Sequence, residues 1–444
     1  MRTIWAKRMS TLRLGSSELD RNPARSAWQR DHDRILFSGH FRRLADKTQV
    51  FPLPFDDHVH SRLTHSLEVA TIGRSLGSRL GADLATRGHL PEGLSARDLG
   101  DCVAAACLAH DLGNPPFGHI GEQAIQEFFR GQGALIEGLT DREREDLLRF
   151  EGNAQGFRTV TRPQHAWRGP GLDLTVSTLG AFMKYPCGAD SRQKGAGKSR
   201  RKHGVMSADL GTWSRVVEAL ELPARDGASH AHARHPLAFL TEAADDVAYL
   251  LLDLEDGFRL GHVSEQQLRD VLDPIAALPS DHPARTEATL GWAERIDRAA
   301  FLRGRAIDTL IGELADVFLE REEAVLAGAF DEALRSHIPS RDGLDAIERL
   351  CFERCYKARD VLKMELTGAE AIQGLLGFFT SALTETGALR TAHLRDLYSS
   401  ILSSEGSRYD QLVRITDHLA GMTDHYAVRL YRELRGVRYP GGRD

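Results

Sequence analysis

Five cysteines in 444 residues, none of them in a CxxC pair, are too few and too irregularly placed for a disulfide framework or a zinc ribbon, and they fit a reducing compartment. Aromatic residues are also sparse, at 7%. No stretch approaches the roughly 18 consecutive apolar residues of a membrane helix. The opening MRTIWAKR has no apolar core of the kind a signal peptide carries, so a cytoplasmic protein with no membrane partner is expected. Neither sign of charge is in large excess. The formal charge of −6 rules out a uniformly basic nucleic-acid binder, and any polyanionic ligand has to be held by a locally basic pocket or by metal. Period-two alternation is scarce as well, which leaves little room for a sheet.

What the chain does have is apolar residues at helical spacing, as at Leu63, Leu67 and Ala70, at Leu99, Val103 and Cys107, at Leu237, Leu240, Ala244, Val247 and Leu251, and at Leu310, Leu314, Val317 and Phe318. The predicted fold class is mainly α, with at most a short β ribbon near residues 50–55. With 41% hydrophobic residues the chain can bury a large core. One segment departs from the pattern. Residues 188–204 hold six Lys/Arg and no large apolar side chain, so they are expected to form a flexible basic insertion, either solvated or closing over phosphates or nucleic acid. Residues 222–236, rich in His, Ala and Pro, read as a second connection. No internal repeat of 20 to 50 residues is present.

The chemistry concentrates at His110 and Asp111, which end an apolar run and are followed by a turn containing Gly113, Pro115 and Pro116. His65 and Asp245 lie on predicted helices. Together the four form a candidate His/His/Asp/Asp metal centre, a donor set suited to borderline or hard divalent ions that leaves coordination positions open. Beyond the turn, His119 and Glu122 share one helical face. Taken singly, each has an ordinary structural alternative: a packed histidine for His65, a half-buried core residue for Tyr249, exposed charges for Arg62 and Lys184.

Seven blocks in order give the pattern its specificity: FRRLADKTQVF (41–51), RLTHSLE (62–68), HDLGNPPFGHIGE (110–122), FEGNAQ (150–155), FMKYP (182–186), ADDVAY (244–249) and GMTDHY (421–426). Over most of its length the chain resembles the HD-domain deoxynucleoside triphosphate triphosphohydrolases, the dGTPase and dGTPase-like proteins, which cleave a dNTP to deoxynucleoside and inorganic triphosphate. The resemblance implies an HD-type helical core over 1–260 and a C-terminal helical region, 261–444, packed on it in one continuous unit. It implies His65, His110, Asp111 and Asp245 as ligands of one divalent ion, Mn²⁺ or Mg²⁺ foremost, with Fe²⁺, Co²⁺ or Ni²⁺ as alternatives. It makes His119 and Glu122 the catalytic pair and puts Tyr249 under the deoxyribose. Asp253 and Gln49 would hold the 3′-hydroxyl, and Arg62 and Lys184 the phosphates. Asn153 and Gln155 would line the same cavity. A homo-oligomer, often a hexamer, and a nucleotide or single-stranded DNA effector are further implications.

Attack at the α-phosphorus would be assisted by metal, Arg62 and Lys184 offsetting charge on the phosphoryl oxygens, with His119 transferring the proton. A tyrosine ring against C2′ would exclude ribonucleotides by clash. Two other readings stay open: an HD-type phosphodiesterase or nucleotidase acting on other nucleotides, and an oligomeric nucleic-acid-binding or dNTP-sensing regulator using the basic segment. The residues mark neither the preferred base nor the metal.

Overall fold

The computed structural model describes residues 1–15, 25–52, 58–163, 171–193, 195, 197–225, 230–279, 281–285, 291–385 and 387–437. Among them are twenty α-helices and no strand, so the fold is mainly α as expected. Of the anticipated ribbon near 50–55, residues 50–52 are not strand and 53–55 lie outside the described residues. On its flanks Thr48 and Ser61 form one isolated antiparallel bridge.

The framework of the site is an antiparallel helix pair, Arg62–Thr86 and Ala96–Ala109. Ser61 caps the first through the Thr64 amide, and Ser95 and Asp98 close the second with a capping box. The two backbones approach so closely that a Cβ on Gly77 would lie 2.8 Å from the Gly100 Cα. One member of the expected stripe on the first helix needs correction: Leu67 is exposed, while Ala70 is buried, Leu63 packs against the core, and the inward face also carries Val69, Ile72, Leu76, Leu80 and Leu84. Contact through glycine and alanine selects that face, because only small residues allow the neighbouring helix so near. Leu99, Val103 and Cys107 are fully buried, as predicted.

Pro236–Arg259 crosses the interior. Its apolar residues recur on nearly every side, so it is buried nearly all round. Proline at its first position lacks an N–H that would go unused there, and His235 caps the Leu237 amide. The core forms two apolar clusters. One runs from Trp5 to Val361 and includes the helices just described together with Trp292–Glu320 and Arg341–Arg354. The other joins His119–Gly131 and its surroundings to Arg359–Thr384, Arg408–Ala420 and Asp424–Leu434. Each cluster draws side chains from both sides of residue 260.

No helix among the described residues is long and apolar enough to cross a membrane. All five cysteines are buried and unpaired.

Candidate active site

Because the helix pair is antiparallel, His65 in the first turn of one helix and His110 at the end of the other come to the same end of the bundle, with ring centroids 5.3 Å apart. The crossing helix brings Asp245 between them. Its Oδ1 lies 3.4 Å from the Nε2 of His65 and 3.4 Å from the Nε2 of His110. Donor atoms of these three residues all lie within 4.8 Å of one another. Two ligands about 2.1 Å from one ion at right angles would be about 3 Å apart, so the trio fits a single small cation. Two further observations favour that fit. The His65 Nε2 is buried and has no hydrogen-bond partner. The His110 Nδ1–H donates to the Cys107 carbonyl at 2.6 Å, which leaves Nε2 as the free donor atom and fixes the ring.

Asp111 stands beside the trio, its Oδ1 3.5 Å from the His110 Nε2. Arg62 donates to its Oδ2 at 2.9 Å and the Asn114 amide to its Oδ1. The electrostatics are strongly coupled. Burial alone would depress the His110 imidazolium, but Asp111 and Asp245 outweigh it and lift His110 to about 9. Burial likewise opposes ionisation of Asp245, yet His110 and His65 hold it well below the usual carboxylate range. In Asp111 the burial penalty is overcome by Arg62 and then His110.

After Asp111 the chain turns sharply through Gly113, Pro115 and Pro116. Gly118 has φ +55°, where glycine is favoured, and a Cβ there would also push aside the Arg62 guanidinium that holds Asp111. The helix His119–Gly131 follows. His119 remains exposed while Glu122, one turn on, is buried. The His119 Nδ1 lies 2.9 Å from Glu122 Oε2, and the Gly152 amide donates to Glu122 Oε1 at 2.6 Å. Burial opposes the Glu122 charge, but the His119 hydrogen bond and Lys202 keep its carboxyl below the ordinary value.

These residues open into one cavity of about 380 Å³, large enough for a nucleotide. Six cationic side chains against five carboxylates line it, leaving a surplus of positive charge before any metal is counted.

An HD domain profile matches residues 62–167, and a phosphohydrolase-associated domain profile matches residues 339–433. Over 98% of its length the chain is 39% identical to a deoxyguanosinetriphosphate triphosphohydrolase-like protein of Synechocystis sp., covering 99% of that protein. Proteins of the same name from Pseudomonas aeruginosa and Listeria monocytogenes are 38% and 34% identical, each over 98% of this chain and 99% of the relative. The chain belongs to the deoxyguanosinetriphosphate triphosphohydrolase-like family of HD-domain phosphohydrolases. HD domains are metal-dependent, and in this phosphohydrolase His65, His110 and Asp245 form the metal-competent group.

Of the other residues singled out in the sequence, Gln49, Arg62, Asn153, Lys184 and Tyr249 line the cavity together with His119. The Gln49 Oε1 is buried without a partner. Lys184 lies 3.7 Å from both Glu242 and Asp245. Burial works against its charge, but Tyr185, Glu242 and Asp245 more than offset this and raise its pKa. Three expected residues are not among the lining: Glu122, which is buried against His119, and Gln155 and Asp253. The Gln155 amide donates to Asp417 at 2.9 Å, and Asp253 accepts the Tyr356 hydroxyl at 2.8 Å. Asp253 is one turn beyond the cavity-lining Tyr249, whose ring stacks on that of Tyr356 at 6.0 Å. Sequence spacing puts Tyr249 and Asp253 on one stripe but cannot say where along it the cavity ends.

The basic segment also needs restating. Rather than a wholly free insertion, its described part is tied to the protein. The Ser199 hydroxyl donates to Asp331 at 2.7 Å, the Lys198 amide donates to the Asp331 carbonyl, and Lys202 reaches Glu151 at 2.7 Å. Composition alone predicts solvation, whereas the half-buried carboxylate of Asp331 supplies the anchor. Lys198, Arg201 and Lys202 thereby line the cavity. Glu242, Arg335 and Glu348 line it too, and no motif marked them, while Asp246, which also lines it, lies inside the block 244–249. Asp246 carried the one available signal, as the immediate neighbour of Asp245. Burial pushes its carboxyl up to about 6.

Proposed function

We propose that this phosphohydrolase cleaves deoxynucleoside triphosphates at the α-phosphate, releasing deoxynucleoside and inorganic triphosphate. The observation that carries the reading is the layout of the cavity. A three-donor metal group, an exposed histidine on a buried glutamate, a cluster of lysines and arginines and a tyrosine ring share one space of nucleotide size. The names of the relatives point the same way.

A divalent ion held by His65, His110 and Asp245, with Asp111 beside them, would supply Lewis acidity toward a phosphoryl oxygen and lower the pKa of water. The remaining work falls to side chains. Arg62 and Lys184, joined by Lys198, Arg201 and Lys202, offset the charge of a triphosphate and fix its oxygens. With the His119 Nδ1–H kept in its hydrogen bond to Glu122, the proton on Nε2 is the one left to pass to the departing 5′-oxygen, and the Gly152 amide keeps the glutamate from turning. The Tyr249 ring forms a wall against which a deoxyribose fits and a 2′-hydroxyl does not.

The deciding experiment is incubation of the purified protein with each of the four dNTPs in Mn²⁺ or Mg²⁺, with chromatography of the products. Nucleoside and intact triphosphate in equal amounts are expected. Orthophosphate, pyrophosphate or no product would overturn the reading, and turnover of nucleoside monophosphates or cyclic nucleotides alone would favour the phosphodiesterase or nucleotidase alternative.

A further inference from the structure

The turn that delivers His119 contains two prolines, which provide no backbone donors, and a phenylalanine in the left-handed region, Phe117 at φ +63°. Such a turn needs fastening from outside, and every fastener described next comes from or reaches the C-terminal region that matches the phosphohydrolase-associated domain. Asp424, the N-terminal residue of the helix Asp424–Leu434, is buried with its carboxylate divided between two strips of the site. Its Oδ1 accepts the Phe117 amide at 2.9 Å and its Oδ2 accepts the Thr48 amide at 2.9 Å. Phe117 is two residues before His119, and Thr48 is directly before Gln49. The Phe117 ring packs on Gly368 of Arg359–Thr384, where an added Cβ would meet the ring Cγ at 2.4 Å. Lys47 completes the arrangement, donating to the Asn114 carbonyl at 2.6 Å and to the Ala420 carbonyl at 2.7 Å.

We propose that Asp424 is a positioning residue that sets the catalytic turn and the Gln49 strand of chain against each other, so that the C-terminal region holds His119 at the distance its proton transfer needs. The inference rests on the reading of His119 as the proton-transfer group. A carboxylate suits the task because it is a double acceptor with no donor of its own. Two amides from separate segments, both buried, would otherwise be left unsatisfied. An error of about 1 Å in such a turn is enough to cost on the order of 10²-fold in rate.

The test is Asp424→Asn, which keeps the shape but turns an NH₂ group toward one of the two amides. On whichever dNTP the wild type cleaves, kcat should fall roughly 10-fold to 10²-fold, with bound metal and KM nearly unchanged. In a His119→Ala background the same substitution should cost little more, because both changes act on one step. Hydrogen exchange, which needs no substrate, should quicken at peptides covering 47–51 and 112–120. Gly368→Ala, which presses on the Phe117 ring from the other side, should lower kcat in the same way and carries the test if Asp424→Asn does not fold. Full activity of either folded variant, a fully multiplicative loss on top of His119→Ala, or unchanged exchange at both peptides would overturn the proposal. A wild type that releases no triphosphate would sink the functional reading instead, and the exchange experiment would still decide the clamp.

Discussion

In the pair proposed for proton transfer His119 is exposed while its partner Glu122 is buried, and this division makes the pair testable. Replacing His119 by Ala removes the proposed proton donor but touches none of the three metal-competent side chains. Turnover should drop by roughly 10² to 10⁴ while metal content, measured by elemental analysis, stays the same. Asp253 offers a second residue-scale test. Burial lifts its carboxyl to about 8 despite the Tyr356 hydroxyl, so the folded protein keeps a proton there that the unfolded chain loses near its ordinary value of about 4. The folded state therefore binds more protons through that window. The stabilisation is fully present below about 4 and is lost as pH rises through about 8. Urea titrations at pH 6 and pH 9 should show the wild type losing more stability across the interval than Asp253→Asn. Equal losses would mean that Asp253 is ionised in the folded protein.

At the scale of elements, the segment 197–204 behaves as an arm with a fixed shoulder. Asp331 holds Ser199 and the Lys198 amide, and from that anchor Lys198, Arg201 and Lys202 face the cavity. Charge-assisted hydrogen bonds of this type contribute about 1.5 to 3 kcal/mol each. Changing Lys198 and Lys202 together to Ala should raise KM for a triphosphate by roughly 10²-fold to 10⁴-fold and flatten its dependence on salt, with a much smaller effect on binding of a deoxynucleoside. Initial-rate measurements over a salt series distinguish this from a general loss of fold, which would affect both ligands alike.

For the whole molecule, the metal-competent group joins three stretches that are far apart in sequence, so an ion bound there favours the folded state and not the unfolded chain. A free ion at about 100 times its Kd adds about 2.7 kcal/mol. Chelation should accordingly lower the midpoint of thermal unfolding, and Asp245→Ala should unfold at a midpoint that no longer responds to Mn²⁺. A variant that responds as strongly as the wild type would show that the ion binds elsewhere.

The helices, the turn after Asp111 and three residues of a metal-competent group, His65, His110 and Asp245, were legible in the chain itself. Helical periodicity and the His110-Asp111-Gly-Pro signal depend only on neighbours within a turn or two, and local steric rules decide those. Even so, the same periodicity counted Leu67 of Arg62–Thr86, which is exposed, because the small residues that let two helices touch leave little mark on a hydrophobic pattern. Tertiary structure alone decided that Asp253 and Gln155 turn to Tyr356 and Asp417, that the basic segment is pinned by Asp331, that Arg335 and Glu348 enter the cavity, and that Asp424 reaches two distant amides. Each of those contacts pairs groups separated by up to several hundred positions. The energy that selects them is the cost of leaving a buried polar atom unpartnered, which exists only once the chain has closed around it.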